Sequence, residues 1–530
     1  MSRVSCFAVC CAALIATPVA AAPLSVHDLQ LLNRVTWGAD SAGAAEMQSL
    51  GAARWLDRQL HPAAADALPP QVRARIEAMS ISTTPMADLA RAMDQAHKAL
   101  KDDVSDPARL AAAKQAYNAQ ARQLLTETAE RSLLRDLYSP DQLREQMTWF
   151  WLNHFNVDGQ RAALRPVIGD YEDRAIRPHA LGRFRDLLAA SFRHPAMLRY
   201  LNNAQNAAGR VNENYAREVM ELHTMGVGSG YTQMDVQELA RIFTGAGVSY
   251  RAAGGGGSLF DFDPRRHDSG TKTLLGHTIR GSGLAEMDEA IDILAREPAT
   301  ARHVSHQIAF YFIGDEPPAA LVERMAATFQ RTDGDIAEVL KTLFASPEFD
   351  ASLGKAFKDP MHYALSAVRL AYDGRQVLDT TPLQGWLTRM GEGLYAHDTP
   401  DGYPLTPAAW SAPGQLAVRF EVAREIGDGA PHLFDPALPA DRPARLVRAA
   451  LTGADRPAMN AMDQDPAAPM RPTPVADRTV KTPPPALQAA LSRGGLMAPL
   501  SAPTQGALAK ADGAADWNAL YLSSPDFMRR

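Results

Sequence analysis

Among these 530 residues one stretch reads as strand: FDFDPRRHDSGTKTLLGHTI, from Phe260 to Ile279. Its aromatic and acidic alternation, with Gly270 and Gly276 as turn residues, predicts a β-hairpin. Most of the remainder repeats apolar residues at three- and four-residue spacing, as a helix with one buried face requires. A chain patterned this way must bury helix against helix. The expected fold is mainly α: a large multi-helix, bundle-like domain with a small β-hairpin and long Pro-rich C-terminal loops. The chain is long enough to bury a large core, and 46% hydrophobic with 22% charged residues is ordinary for a globular protein.

Helices are predicted over Val26 to Trp37 and Ala44 to Gln59. A long helical hairpin follows over about 86–138, its second arm opened by Ser105-Asp106-Pro107, a cap with Pro at the first helical position. Ser139-Pro140-Asp141 repeats that logic and starts a helix carrying REQMTWFWLNHFNV. From Met287 to Phe349 the pattern is helical again, and Lys358-Asp359-Pro360 opens another helix. This gives a main domain over 22–453, a Pro-rich wrap or partly disordered segment over 454–514 with a short helix near Ala486 to Ser492, and a terminal helix within 515–530 packed on the main domain.

The N-terminus reads as a Sec-type signal peptide, residues 1–21. Arg3 is followed by an apolar run from Val4 to Ala16, and Val19 and Ala21 supply small residues for cleavage after Ala21. The expected location is therefore the periplasm or the exterior. Cys6, Cys10 and Cys11 all fall inside that signal, so the mature chain has no disulfide, thiolate metal site or Cys nucleophile. No other segment approaches twenty apolar residues, so no transmembrane segment is expected in the mature chain. A net charge of −6, or −7 after cleavage, argues against nucleic acid as a partner.

Candidate chemistry is densest between Asn212 and Val248. Asn212 is a natural N-cap for a helix from Glu213 to Met225, closed by Gly226 or Gly228. Thr232 caps a second helix with Asp235 in its first turn. Glu218 and Glu221 are three apart and share a face, which suits a metal or a proton-transfer pair. Arg217 lies four residues from both Glu213 and Glu221, and the alternative reading is an Arg/Glu ladder. His223 is about 200° around the helix from Glu221 and needs a partner from elsewhere.

His154 follows Trp151 by three residues and is flanked by Asn153 and Asn156, a grouping that suits either a site or a hydrogen-bonded core. His267 and Asp268 could bind metal, orient each other, or form a surface turn. His303 and His306 have ligand spacing but aromatic neighbours, which favours packing. The Pro-rich loop with Tyr395, His397, Tyr403 and Trp410 is a candidate pocket wall or a rigid wrap. No G-x-S-x-G, H-E-x-x-H, phosphate-cradling or dinucleotide Gly pattern is present.

LLNRVTWG, REQMTWFWLNHF, NENYAREVMELHTMGVGSGYTQMDVQELARIFTG, HDSGTKTLLG, LYAHDTPDGYPLTPAAW and SSPDFMRR occur in that order. Together they resemble the domain-of-unknown-function 1800 family of exported bacterial proteins, from near Leu31 to the C-terminus. The resemblance implies a mostly helical, secreted or periplasmic protein without an established general activity. It also implies a possible partner, a second exported family with a sulfatase-like fold. Two positions depart from the family pattern: Ala246 follows Gly245 where Trp is frequent, and Asn202 stands where Asp is frequent.

Two functions follow as expectations. The first is a metal-dependent enzyme, redox or hydrolytic, whose buried site gathers His154, His223 and His267 as ligands of a transition metal. Glu218, Glu221 and Arg217 would serve catalysis there, and Trp151 would form the wall of the cofactor pocket. The second is a non-enzymatic envelope binding or scaffold protein that acts with another exported protein.

Overall fold

The computed structural model describes residues 23–63, 67–102, 107–250, 258–434 and 483–530. The expected signal peptide with its cysteines, and most of the Pro-rich segment, lie outside these residues. The fold is mainly α, with 25 helices and two small antiparallel two-stranded sheets among the described residues. No described helix is long and apolar enough to cross a membrane.

One continuous core runs from Leu29 near the start to Met528 near the end. At its centre is the helix Gln142–His154, in which every side chain from Gln142 to Leu152 is buried. Burial on all sides is possible because most of its polar side chains have partners. Arg177 donates to both carboxylate oxygens of Glu145 (2.8 and 2.7 Å), and Trp151 Nε1–H donates to Ala180 O (2.9 Å).

The predicted hairpin over 86–138 appears as the helices Met86–Asp102 and Pro107–Tyr138. The second arm is buried only from Ala121 onward, so its first half stands clear of the core. The single helix expected over Ala44 to Gln59 is two, Ser41–Leu50 and Ala52–Leu60, broken at Gly51.

Strand pairing also differs from the sequence reading. Phe260–Phe262 (β2) does not pair forward; it pairs back, antiparallel, with Ala246–Val248 (β1), in the register Gly247 to Asp261. The hairpin proper is shorter, Lys272–Leu274 (β3) with His277–Ile279 (β4), closed at Leu275-Gly276. Asp263 to Gly270 carries the chain between the two sheets. At the C-terminal end, Ala514–Leu522 lies so close to Pro413–Gly427 that a Cβ on Gly427 would stand 2.9 Å from Ala515 O. Asn518 fastens the contact by donating to Gly427 O (3.3 Å) and Pro485 O (2.8 Å).

Candidate functional site

The C-terminal end of the central helix is where distant segments meet. Asn153 holds both main-chain groups of Tyr403: its Oδ1 accepts from Tyr403 N (2.6 Å) and its Nδ2 donates to Tyr403 O (2.9 Å). Asn156 Nδ2 donates to His397 O (3.0 Å) and Thr399 O (2.7 Å). The loop reaches this close because Gly402 has φ 71°, and a Cβ there would lie 2.3 Å from Asn153 O. The Pro-rich loop is thus a rigid wrap, clamped by the two asparagines that flank His154.

His154 itself meets the Asn212–Val248 stretch. That stretch starts as an α-helix, Asn214–Glu218, and changes to π winding over Val219–His223. The helix starts one residue later than expected, so Glu213 takes the N-cap position and Asn212, one residue before it, accepts from Asn214 N (3.0 Å). A helix end leaves carbonyls without partners, and here side chains and a loop N–H supply the donors. Thr224 Oγ1 donates to Val219 O (2.7 Å) and Gly226 N to Met220 O (3.1 Å). His303 Nε2–H donates to Leu222 O (3.2 Å), and His154 Nε2–H donates to His223 O (3.0 Å). A carbonyl only accepts, so these contacts place the proton of both rings on Nε2.

The result is a cluster of three imidazoles. His154 lies 6.1 Å, centroid to centroid, from both His223 and His303. Phe150 stacks on His154 at 6.2 Å, and Trp151 and Phe155 meet it edge-on at 5.4 and 4.7 Å. Burial pushes the His154 pKa down to about 3, helped by His303 and opposed by the His223 carbonyl. Burial lowers His223 and His303 as well, so all three are neutral near pH 7. His223 Nε2 is buried without a hydrogen-bond partner. His306, three residues beyond His303, turns outward to Glu316 (2.9 Å).

Trp151 is fully buried, and its N–H is committed to Ala180 O. It is part of the core where a cofactor-pocket wall was expected. Arg217 forms the ladder: it reaches Glu213 (3.1 Å), Glu221 (3.4 Å) and Gln233 (2.8 Å), while Gln233 returns a bond to Glu213 (2.7 Å). Glu218 lies on the same partly exposed side. Burial and the nearby charges of Glu221 and Asp401 raise its pKa.

His267 does not join His154. One ring nitrogen faces Thr244 O (2.8 Å) and the other the Glu286 carboxylate (2.9 Å). The second Glu286 oxygen takes Lys272 Nζ (2.5 Å), and the Lys272 and Glu286 side chains have no exposed surface. Burial pushes Glu286 up, but Lys272, His267 and the Gly283 N–H outweigh it and hold its pKa below the usual carboxylate range. With both nitrogens engaged, His267 braces the junction between the β3–β4 hairpin and the helix Leu284–Arg296. The expected gathering of His154, Glu218, Glu221, His223 and His267 around one ion is therefore not assembled. Among the described residues, no group of three or more His, Cys, Asp or Glu side chains is arranged to hold a metal ion.

The profile of the family described as Protein of unknown function (DUF1800) matches residues 30–529. The chain belongs to the DUF1800 family. Searches of curated proteins and of solved structures return no match. In this DUF1800 chain three of the blocks that carried the resemblance converge on one place: WFWLNHF supplies Asn153, His154 and Asn156, NENYAREVMELH the capped helix end, and LYAHDTPDGYP the clamped loop. The two departures also have places in the fold. Ala246 is buried in β1 opposite Phe262. Asn202 has φ 62°, a left-handed conformation that Asn tolerates better than most residues.

Sequence reasoning missed His303 as the third imidazole and Glu286 as the partner of His267. Each comes from a segment distant in sequence, 81 residues from Leu222 in one case and 19 from His267 in the other. No local spacing announces either.

Proposed function

We propose that this protein is an exported, non-enzymatic binding protein that works with a second exported protein, one of sulfatase-like fold being the partner of choice. One contrast supports the reading. Arg217, Glu213 and Glu221 of the central stretch are paired with one another, while three large apolar side chains in or next to that stretch are exposed. Val211, Val227 and Met234 are three of the nine large exposed hydrophobic residues described, with Val227 78% and Met234 68% exposed. Large apolar side chains left exposed on a folded surface suit a protein–protein contact. Export rests on the signal-like N-terminus. The test is co-expression with the sulfatase-fold protein and measurement of the complex by size-exclusion chromatography with light scattering. Val227→Glu and Met234→Glu are expected to dissociate it. A complex that survives both substitutions removes this surface from consideration.

A second reading rests on the orphaned His223 Nε2. Neutral imidazoles suit Zn, Cu, Fe or Mn, with Glu218 or Glu221 as ligand or general base in redox or hydrolytic chemistry. With Nε2–H held by a main-chain carbonyl, His154 and His303 would each offer Nδ1 to the ion. A stoichiometric transition metal that is lost in folded His154→Ala protein would establish this reading in place of the first.

A further inference from the structure

Two of the described lysines are buried, Lys272 and Lys358, and their surroundings differ. Lys272 is held by the Glu286 carboxylate (2.5 Å). Lys358 forms no ion pair among the described residues. Its Nζ donates to Ser366 Oγ (2.9 Å) and sits 3.7 Å from the centre of the Phe527 ring. An ammonium out of water and without a counter-ion is costly, and a lysine so placed releases its proton. Burial, and then the charges of Arg530 and Arg419, hold the Lys358 pKa well below the usual lysine range, against a smaller opposing effect of Asp359. The ring face of Phe527 favours a cation, but weakly beside burial next to two guanidinium groups. The free amine of a lysine is a nucleophile toward carbonyl carbon.

This amine has a pocket. Lys358, Ser366 and Phe527 line one cavity of about 150 Å³, between the helices Val26–Val35 and Pro360–Ala371, the segment 496–499 and the turn over 526–530. The two groups that touch Nζ are both on its wall, so the nitrogen lies at the pocket and not behind it. Pro499 and Arg529 are exposed and mark the mouth. The volume is below that of drug-sized sites and suits a molecule of a few heavy atoms.

Three other lining side chains ionise. The Asp526 carboxylate is engaged by Ser501 N (3.0 Å) and the Ser501 hydroxyl (2.8 Å). Arg530 is buried and turned to Tyr311 O (2.9 Å) and the His362 ring. Arg529 donates to Lys355 O (2.8 Å) and meets no carboxylate among the described residues. With Lys358 neutral, two cations face one anion, which favours a small anionic ligand.

We propose that Lys358 Nζ captures a small 2-oxo carboxylate as an imine, with Arg529 holding the carboxylate at the mouth of the pocket. The nitrogen lone pair attacks the 2-carbonyl carbon and a C–N bond forms. The nitrogen then gives up both its hydrogens, the carbonyl oxygen leaves with them as water, and the C=N bond closes. No oxidant or reductant is consumed. The test incubates the full chain at pH 7 with pyruvate and sodium cyanoborohydride, which reduces an imine to a stable amine, and quantifies labelled peptides by mass spectrometry. Lys358 is expected to be labelled at least tenfold faster than the exposed Lys341, Lys355 and Lys510. Hydroxyacetone, a ketone of similar size without the carboxylate, is expected to label Lys358 at least fivefold more slowly than pyruvate. Arg529→Gln, at an exposed position, is expected to slow pyruvate labelling at least fivefold and to leave hydroxyacetone labelling unchanged. Labelling of Lys358 no faster than that of the exposed lysines overturns the proposal. So does hydroxyacetone labelling as fast as pyruvate, or an Arg529→Gln chain that keeps the full pyruvate rate.

Discussion

Glu286→Gln isolates the difference between a structural and a metal-binding His267. In the folded chain the Glu286 carboxylate holds Lys272 Nζ at 2.5 Å and His267 Nε2 at 2.9 Å, and it accepts from Gly283 N at 3.1 Å. The Glu286 and Lys272 side chains are wholly out of solvent. A glutamine keeps the volume and can still accept the Gly283 N–H, but it leaves the ammonium of Lys272 buried without a counter-charge. Removing one partner of such a pair costs about 3–5 kcal/mol. Part of the attraction survives through the Asp268 carbonyl that Lys272 also meets, so we expect about 3–4 kcal/mol. Urea unfolding followed by circular dichroism at pH 7 measures the loss. The pair Lys272→Met with Glu286→Leu removes both charges and should recover most of it, because replacing a buried ion pair by apolar side chains is often neutral. Metal content should be the same in all three proteins. A single variant within about 1 kcal/mol of the original chain would show that the pair does not hold this junction.

Three further outcomes are expected. The His154 pKa of about 3 lies below the ordinary 6.5, so the folded state binds fewer protons than the unfolded one between those values. The associated stability is complete above pH 6.5 and is lost as pH falls toward 3. The loss at pH 5 is about 2 kcal/mol for His154 alone, and a His154→Gln chain with an unchanged acid-unfolding slope would contradict this. Gly402→Ala places a Cβ against Asn153 O at a left-handed φ and should release the 397–403 loop, seen as faster amide exchange there, with a loss on the order of 2 kcal/mol. Arg419 is fully buried between Phe357 and Tyr363 with no hydrogen bond to its guanidinium, so Arg419→Met should be neutral or stabilising in urea unfolding. A loss above about 2 kcal/mol would mean that its charge is needed by Asp359 and Glu392, the carboxylates that sense it.

Local signals carried the fold class and much of the element order. Thr232 and Asp235 form the reciprocal cap that their spacing announces, and Val236, Leu239 and Ala240 turn inward as the apolar stripe requires. Pro107 and Pro360 open helices where a Pro at the start is tolerated. The Arg217 ladder was one of two readings, and Gln233, sixteen residues away, is the partner that spacing alone could not supply. What sequence could not reveal is tertiary. Periodicity places His223 away from Glu221, but not against His154. The π winding over Val219–His223, which frees the carbonyls that His154 and His303 cap, has no pattern of its own. The pairing of β2 with β1 was hidden because Ala246-Gly247-Val248 is too short and too small to read as strand.

The most direct test of the central claim compares binding of the proposed partner, an exported protein of sulfatase-like fold, by three proteins at pH 7. These are the unaltered chain, a chain with His154→Gln and Glu221→Gln, and a chain with Val227→Glu and Met234→Glu. Calorimetric titration is expected to give near-equal affinity for the first two and at least a hundredfold loss for the third. Equal affinity in the surface variant, together with a loss of partner binding and of bound metal in the His154→Gln, Glu221→Gln chain, would contradict the docking account and make the imidazole cluster a site of chemistry.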